Sequence, residues 1–445
     1  MVTGTPLLLI ILAAIVLVVL LTAKAKFHPF LGLIIACFFL GLASRMPAAE
    51  IVDAMESGFG SLMRSIGMIV VFGSVIGIFL ERSGGAMKIA QTIIRLAGQK
   101  KTLSAVSLIG AVVSVPVFCD SGFILLSGLP DKLGKLSGQS KAGLSLALAT
   151  GLYTTHTLVP PTPGPVAAAG NMGASDTLGT IILVGLGISI PVLLVAGFFS
   201  GKLGKRIPAG SPVAGEEETP LRLPSLYRAL LPLLVPIGLI AAGTVLKFMG
   251  LTSPAVRFLS APLVAIFTGA VLAVILLKPK KNRSYGKWFA DAIAVAGPIL
   301  IITGAGGAFG GVLKATPLSD SVSQWIGDGS ASGLTMLMVS FGIAAVLKTA
   351  QGSSTGAMVI TSSLLAPLIP VLGWDTPPEF ALAVAAIGGG AMMVSHYNDS
   401  YFWVVSQFSG IRAKDTTRSF SVLTVIQGLT VLACVVLLWL LLRMM

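Results

Sequence analysis

The run Val115-Pro116-Val117-Phe118-Cys119-Asp120-Ser121-Gly122-Phe123 decides how the chain meets a membrane. Lys100 and Lys101 precede it, and Asp131, Lys132 and Lys135 follow it. Basic clusters mark the cytoplasmic side of a bilayer, so both flanks read as cytoplasmic. About 29 residues separate them, too few for two full helical crossings at ~1.5 Å rise per residue. A re-entrant hairpin fits instead, with Phe118 to Gly122 near its tip. Such a turn exposes backbone groups, which is tolerated at membrane depth only where they line a cavity.

The rest of the chain supplies the membrane. Of 445 residues, 55% are hydrophobic and 11% charged; soluble chains carry roughly 25% charged residues. Mean hydropathy is +0.94. The 52 Gly and 25 Pro suit membrane helices that bend or break. This composition excludes a soluble enzyme, a disordered chain and a disulfide scaffold, and the long apolar runs exclude a transmembrane barrel. The formal net charge of +13 would suggest nucleic acid in a soluble protein. Here the basic residues sit in short clusters between apolar runs, so no nucleic-acid partner is expected. Cys37, Cys119 and Cys434 all lie in apolar segments at spacings that suit neither zinc nor a disulfide. Residues 6–23 lack a positive n-region and are too long for a signal peptide, so an uncleaved first helix is expected.

Candidate spans are 6–23, 27–45, 66–80, 103–126, 142–160, 177–200, 229–250, 258–277, 290–313, 334–350, 353–372, 378–400 and 419–443. The long polar connection 201–228, rich in Pro and Glu, divides the chain into a first unit 1–206, a cytoplasmic linker 207–228 and a second unit 229–445. The two units look related. Gly73 to Gly77 leads to Glu81-Arg82-Ser83-Gly84, and Gly306 to Gly310 leads to Lys314-Ala315-Thr316-Pro317. The same offset carries Cys119-Asp120-Ser121 onto Gly352-Ser353-Ser354. Charge adds an independent argument. Residues 81–101 (Glu81, Arg82, Lys88, Arg95, Lys100, Lys101) are basic, while 314–328 (Lys314, Asp320, Asp328) are not. With 278–287 inside, because of Lys278, Lys280, Lys281, Arg283 and Lys287, the second unit is expected to be inverted relative to the first. Both termini then fall on the periplasmic or extracellular side. The expected fold is an all-α polytopic membrane protein of two inverted-topology repeats with re-entrant hairpins and broken helices, the plan of secondary transporters.

Three constellations carry chemistry. An ionised Asp120 at membrane depth costs at least ~2.5 kcal/mol; it either carries a proton or cation, or contacts substrate, or caps a broken helix near Ser121. In Lys348-Thr349-Ala350-Gln351-Gly352-Ser353-Ser354-Thr355-Gly356, hydroxyls and backbone N–H groups at a helix break can donate to a carboxylate; packing by small residues is the competing reading. The Gly352-x-Ser354-x-Gly356 pattern is no nucleophile elbow, because no strand precedes it. The third constellation pairs His156-Thr157-Leu158-Val159-Pro160-Pro161-Thr162-Pro163-Gly164-Pro165 with His396-Tyr397-Asn398-Asp399-Ser400-Tyr401. Its prolines break any helix. Its histidines either protonate near neutral pH or bond to a neighbour. Asp399 needs a partner or solvent. His28, beside Pro29, reads as structural, and Gly73 to Gly77 as close packing.

At these residues the sequence resembles the gluconate permease family, within the larger ion-transporter superfamily. The matching segments run over essentially the whole chain. They are Lys26 to Phe30, Pro116 to Phe123, Val159 to Gly170, Thr303 to Gly310, Gln351-Gly352-Ser353 and Ser395 to Ser400. The family usually has His where this chain has Thr162, and Gly where it has Tyr401; Cys119 and Ser121 stand where it has bulkier apolar residues. The resemblance implies proton-coupled uptake of an organic acid by a bacterial inner-membrane protein, and a homodimer moving by an elevator mechanism.

Together these readings predict a symporter that imports gluconate or a related sugar acid or hydroxy acid with protons, with no metal or cofactor. The substrate is expected between the tips 118–122 and 351–355, on Asp120, Ser121, Gly122, Thr162, Gln351, Gly352, Ser353, Ser354, Thr355 and Asn398. Asp120, then Asp399, with His156 and His396, are the proton-coupling candidates. A Na⁺-coupled carboxylate or D-amino-acid transporter, a channel and an intramembrane enzyme are the alternatives.

Overall fold

The computed structural model describes residues 1–97, 102–207, 223–251, 253–278, 285–318, 333–372 and 374–444. Lys100 and Lys101, most of the 207–228 linker, Lys280, Lys281 and Arg283, and Asp320 and Asp328 lie outside the described residues.

No strand occurs among the described residues. Eight described helices are long and apolar enough to cross a membrane. A ninth span results if Pro254–Ser260 and Pro262–Leu276, bent by 61° at Ala261, count as one. Pro262 lacks an amide hydrogen and its ring crowds the preceding turn, which accounts for the bend inside the expected span 258–277.

The order of elements recurs. The first half holds α1 (Gly4–Val19), α2 (Pro29–Ala43), the long α3 (Ala48–Ser83), α4 (Gly85–Ala97), the pair α5 (Thr102–Ser114) and α6 (Cys119–Leu126), α7 (Leu129–Ser137), the pair α8 (Lys141–Leu158) and α9 (Pro163–Asn171), and α10 (Leu178–Gly204). The second half holds α11 (Leu226–Phe248), α12 (Pro254–Ser260), α13 (Pro262–Leu276) and the long α14 (Tyr285–Ala315). After the gap in description come the pair α15 (Gly333–Gln351) and α16 (Ser354–Leu365), then α17 (Ile369–Leu372), and the pair α18 (Pro377–Gly390) and α19 (Ser400–Ser409). A short α20 (Ala413–Thr416) leads into α21 (Val422–Met444). Each half thus runs from a long helix to a broken pair, a second broken pair and a closing helix.

Two more expected spans change shape. The span at 66–80 is only the C-terminal part of the 36-residue α3. Glu50, Asp53, Glu56 and Arg64 dilute its hydropathy at the N-terminal end, but all four are exposed, so the helix continues through them. Span 378–400 stops at Gly390, and residues 391–399 are not helical.

The long helices α3 and α14 cross through glycine. A Cβ on Gly58 would lie 2.2 Å from the Gly307 carbonyl oxygen, and one on Gly311 2.2 Å from that of Ala54. Small residues let membrane helices approach this closely, where dispersion replaces the hydrophobic effect. The outer helices show the reverse of soluble amphipathicity. On α10, Leu183, Leu186, Ile190, Leu194 and Phe198 recur at helical spacing and are exposed, which suits acyl chains. Its small Gly185 faces inward, where a Cβ would meet the Leu158 carbonyl oxygen at 2.3 Å.

Candidate functional site

Four helix breaks build the site, and each has a local cause. Between α5 and α6, Pro116 removes a helical donor at residues 115–118. Gly77 of α3 leaves room for this turn, since a Cβ there would sit 2.2 Å from the Pro116 carbonyl oxygen. Between α8 and α9, Pro160 and Pro161 end one helix, and Pro163, inside the first turn, starts the next, a position that tolerates proline. Between α15 and α16, Gly352 is left-handed at φ 77°. Its N–H closes on the Lys348 carbonyl at 2.8 Å, a glycine C-cap. Between α18 and α19, the chain resumes helix where Asp399 Oδ1 accepts the Tyr401 N–H at 3.1 Å.

The third and fourth breaks are in backbone contact. A Cβ on Gly352 would lie 2.1 Å from the Asn398 carbonyl oxygen. Asn398 Nδ2 donates to the carbonyls of Thr349 (2.8 Å) and Ala350 (3.1 Å) at the end of α15. His396 Nε2 lies 2.9 Å from the same Thr349 carbonyl. Lys348 reaches into this junction. Its Nζ donates to Asp399 Oδ2 at 2.6 Å and to the Gly352 carbonyl at 3.0 Å. The side chains of this pair are only 1% and 4% exposed. Ser395 Oγ also donates to Asp399 Oδ2 through a short bond, and the Ser395 N–H is held by Thr424 Oγ1 of α21 at 3.1 Å. Ser353 caps α16 by accepting the Gly356 N–H at 3.1 Å, and Thr355 is half-buried on the next turn.

The first two breaks share a cleft. Gly73 and Ser74 of α3, Pro116 and Phe118 of the hairpin turn, His156 of α8 and Thr162 line it. The Phe118 and His156 rings lie 5.9 Å apart between centroids. Thr162 Oγ1 turns back to the Val159 carbonyl at 2.5 Å and does not cap α9. Asp120 lies on the first turn of α6, which has no side-chain cap, so the capping alternative for Asp120 does not hold. Its Oδ1 is buried and has no hydrogen-bond partner among the described residues. The same is true of His156 Nδ1, of both amide atoms of Gln351, and of Asn398 Oδ1. Ser121 is half-buried beside Asp120; Gly122 is buried, and a Cβ on it would meet Leu152 at 2.7 Å.

An aromatic column joins the two halves. Phe123 of α6 meets Tyr401 of α19 edge-on at 6.3 Å, and Tyr401 lies 5.3 Å from Tyr153 of α8. The Tyr153 hydroxyl is 2.7 Å from Ser354 Oγ, and its ring faces Lys348 Nζ at 5.8 Å. Tyr401 also donates to the Ala149 carbonyl at 2.9 Å. Phe123, next to the turn at 118–122, is thereby linked through Tyr401 and Tyr153 to Ser354 in the turn at 351–355. The structure brings Gln351, Gly352, Asn398, Asp399 and His396 together at one junction and His156 and Thr162 in the cleft; Asp120 lies on α6, within electrostatic range of Lys348 and Asp399.

Sequence reasoning missed Tyr153, Ser395, Ser74 and the pairing of Lys348. Lys348 carried a usable signal: a buried ammonium in an apolar helix requires a carboxylate. Tyr153 carried none, since its partner lies 201 residues away. His28 has a structural role as the N-cap of α2: its Nδ1 accepts the Phe30 N–H at 3.3 Å.

The family profile described as GntP family permease matches residues 6–442. The inner membrane permease YgbN of Escherichia coli K12 is 32% identical over 95% of this chain and 96% of its own. A gluconate permease of Zymomonas mobilis is 31% identical over 96% and 97%. The D-serine transporter DsdX of Escherichia coli K12 is 31% identical over 95% and 96%. Among solved structures, the Alcanivorax borkumensis YdaH transporter superposes with a TM-score of 0.67 at 16% identity, covering 92% of this chain and 97% of that one. At that identity the likeness concerns the fold.

Proposed function

The chain belongs to the GntP permease family, and from that premise we propose that it is a bacterial inner-membrane symporter that imports gluconate or a related sugar or hydroxy acid with protons. The observation that carries this reading is the set of buried, unpartnered polar atoms at the helix breaks: Asp120 Oδ1, His156 Nδ1, the Gln351 amide and Asn398 Oδ1. Buried polar groups are almost always bonded, so a group of orphans at membrane depth marks a place where a polar ligand completes them. A polyhydroxy acid offers both hydroxyl donors and carboxylate acceptors. Two of the relatives are named for gluconate and for D-serine, and both compounds carry a carboxylate and at least one hydroxyl.

Asp120 is the proton carrier in this reading, because one of its oxygens is uncommitted while Asp399 is already matched by Lys348. Asp399 and His396 then hold the second-half junction in shape, and His156 orients substrate across the cleft. Gln351 and Asn398, with Ser121, Gly122, Thr162 and the 352–355 turn, form the remainder of the binding surface. The recurring element order supports two repeats, 1–206 and 229–445; their inversion, and both termini on the periplasmic side, rest on the charge pattern of the sequence. A homodimer with an elevator motion rests on the resemblance alone.

Uptake of radiolabelled gluconate into proteoliposomes tests the function. An inward proton gradient should drive saturable, uphill uptake that other sugar acids compete away. Uptake driven by a Na⁺ gradient and indifferent to pH would overturn the coupling. Failure of every sugar acid and hydroxy acid to compete would overturn the substrate class.

A further inference from the structure

The Gly352 turn and Asp399 have the make-up of a cation site. A helix break releases the Gly352 carbonyl from the backbone ladder, and a carboxylate stands opposite it, itself held by Ser395. Unwound carbonyls and carboxylates at broken membrane helices are the ligand type that coordinates alkali cations. Here the charge at their focus is the Lys348 ammonium, at 3.0 Å from the carbonyl and 2.6 Å from the carboxylate. The unpartnered Asn398 Oδ1 and Gln351 Oε1 belong to the residues next to Asp399 and Gly352. The first-half hairpin has no counterpart: its carboxylate, Asp120, keeps an oxygen without a partner among the described residues.

We propose that Lys348 is a tethered cation that fills an alkali-ion site formed by the Gly352 carbonyl and Asp399, so that this protein holds its second hairpin closed without Na⁺. Lys348 is thereby a determinant of ion specificity. A small monovalent cation can replace the ammonium electrostatically, because the carboxylate and the carbonyl dipole remain when the lysine side chain is removed. The proposal is independent of the acid carried, and its readout is independent of transport, since it concerns ion binding at this one site in the absence of substrate.

Thermal unfolding of the purified protein in NaCl against choline chloride at equal ionic strength tests it. Lys348→Ala should gain a saturable, Na⁺-dependent rise in midpoint of about 2 °C or more over the wild-type response, because a ligand stabilises the state it binds. Asp399→Asn in the Lys348→Ala background should abolish that gain. Lys348→Gln, which keeps donors for the same acceptors but no charge, is the second variant and should show the same dependence. Folded single variants whose Na⁺ response equals that of the wild type would overturn the proposal. Failure to recover either variant, in NaCl and choline alike, would also count against it, since a restored counter-ion should rescue the site. Loss of gluconate uptake in the wild type would leave these outcomes unaffected, so the two readings fail separately.

Discussion

The two hairpins use one backbone device and different electrostatics. Each breaks a helix near a carboxylate, at Pro116 before Asp120 and at Gly352 against Asp399. Asp399 is matched by Lys348, Ser395 and the Tyr401 N–H, so both its oxygens are bonded within the protein. Asp120 keeps an oxygen without a partner among the described residues. The difference teaches that a broken membrane helix is not by itself a working site. The carboxylate at the second hairpin is paired and held, whereas the one at the first has an oxygen that the proposed function puts to use.

Removing one member of the buried pair should have the largest effect. Lys348→Ala in Na⁺-free buffer should cost about 3–5 kcal/mol, because it strands the Asp399 carboxylate. Lys348→Met combined with Asp399→Leu should recover most of that loss, and chemical denaturation of both would show it. A double variant as unstable as the single one would break the contrast between the hairpins.

Glycine comes next. Gly352→Ala forces a Cβ into the Asn398 carbonyl at a left-handed position, and should cost about 2 kcal/mol or more. Gly122→Ala meets only the mobile end of Leu152, and should cost about 1 kcal/mol. Equal midpoints for the two would show that the second hairpin is no more tightly held than the first. Tyr153→Phe removes the link to Ser354 and should cost about 1 kcal/mol while leaving the column of rings in place.

Much of this was legible along the chain. Apolar runs, the spacing of charge around residues 102–130 and the proline run at 160–165 located most of the spans and two of the four breaks. Gly352 marked a third only through its neighbours' polarity, and the break at 391–399 was overrun by the expected span 378–400. The extent of α3 was hidden because hydropathy averages over faces, and Glu50, Asp53, Glu56 and Arg64 all sit on exposed ones. The candidate carboxylates were visible as charges in apolar surroundings. Their unequal states were not, since Lys348 meets Asp399 across 51 residues of sequence, and such pairing is a property of packing. Tyr401 was noted as a departure from the family's usual glycine, and only the structure gives it work, as the ring between Phe123 and Tyr153.

The smallest expected effect on stability carries the largest functional consequence. Asp120→Asn changes a carboxylate whose Oδ1 has no partner among the described residues, so its thermal midpoint should stay within about 2 °C of the wild type. In proteoliposomes with an imposed proton gradient, the account predicts that this variant takes up no gluconate against its concentration gradient while the wild type accumulates it. Uphill, pH-driven uptake by Asp120→Asn at the wild-type rate would contradict the central claim.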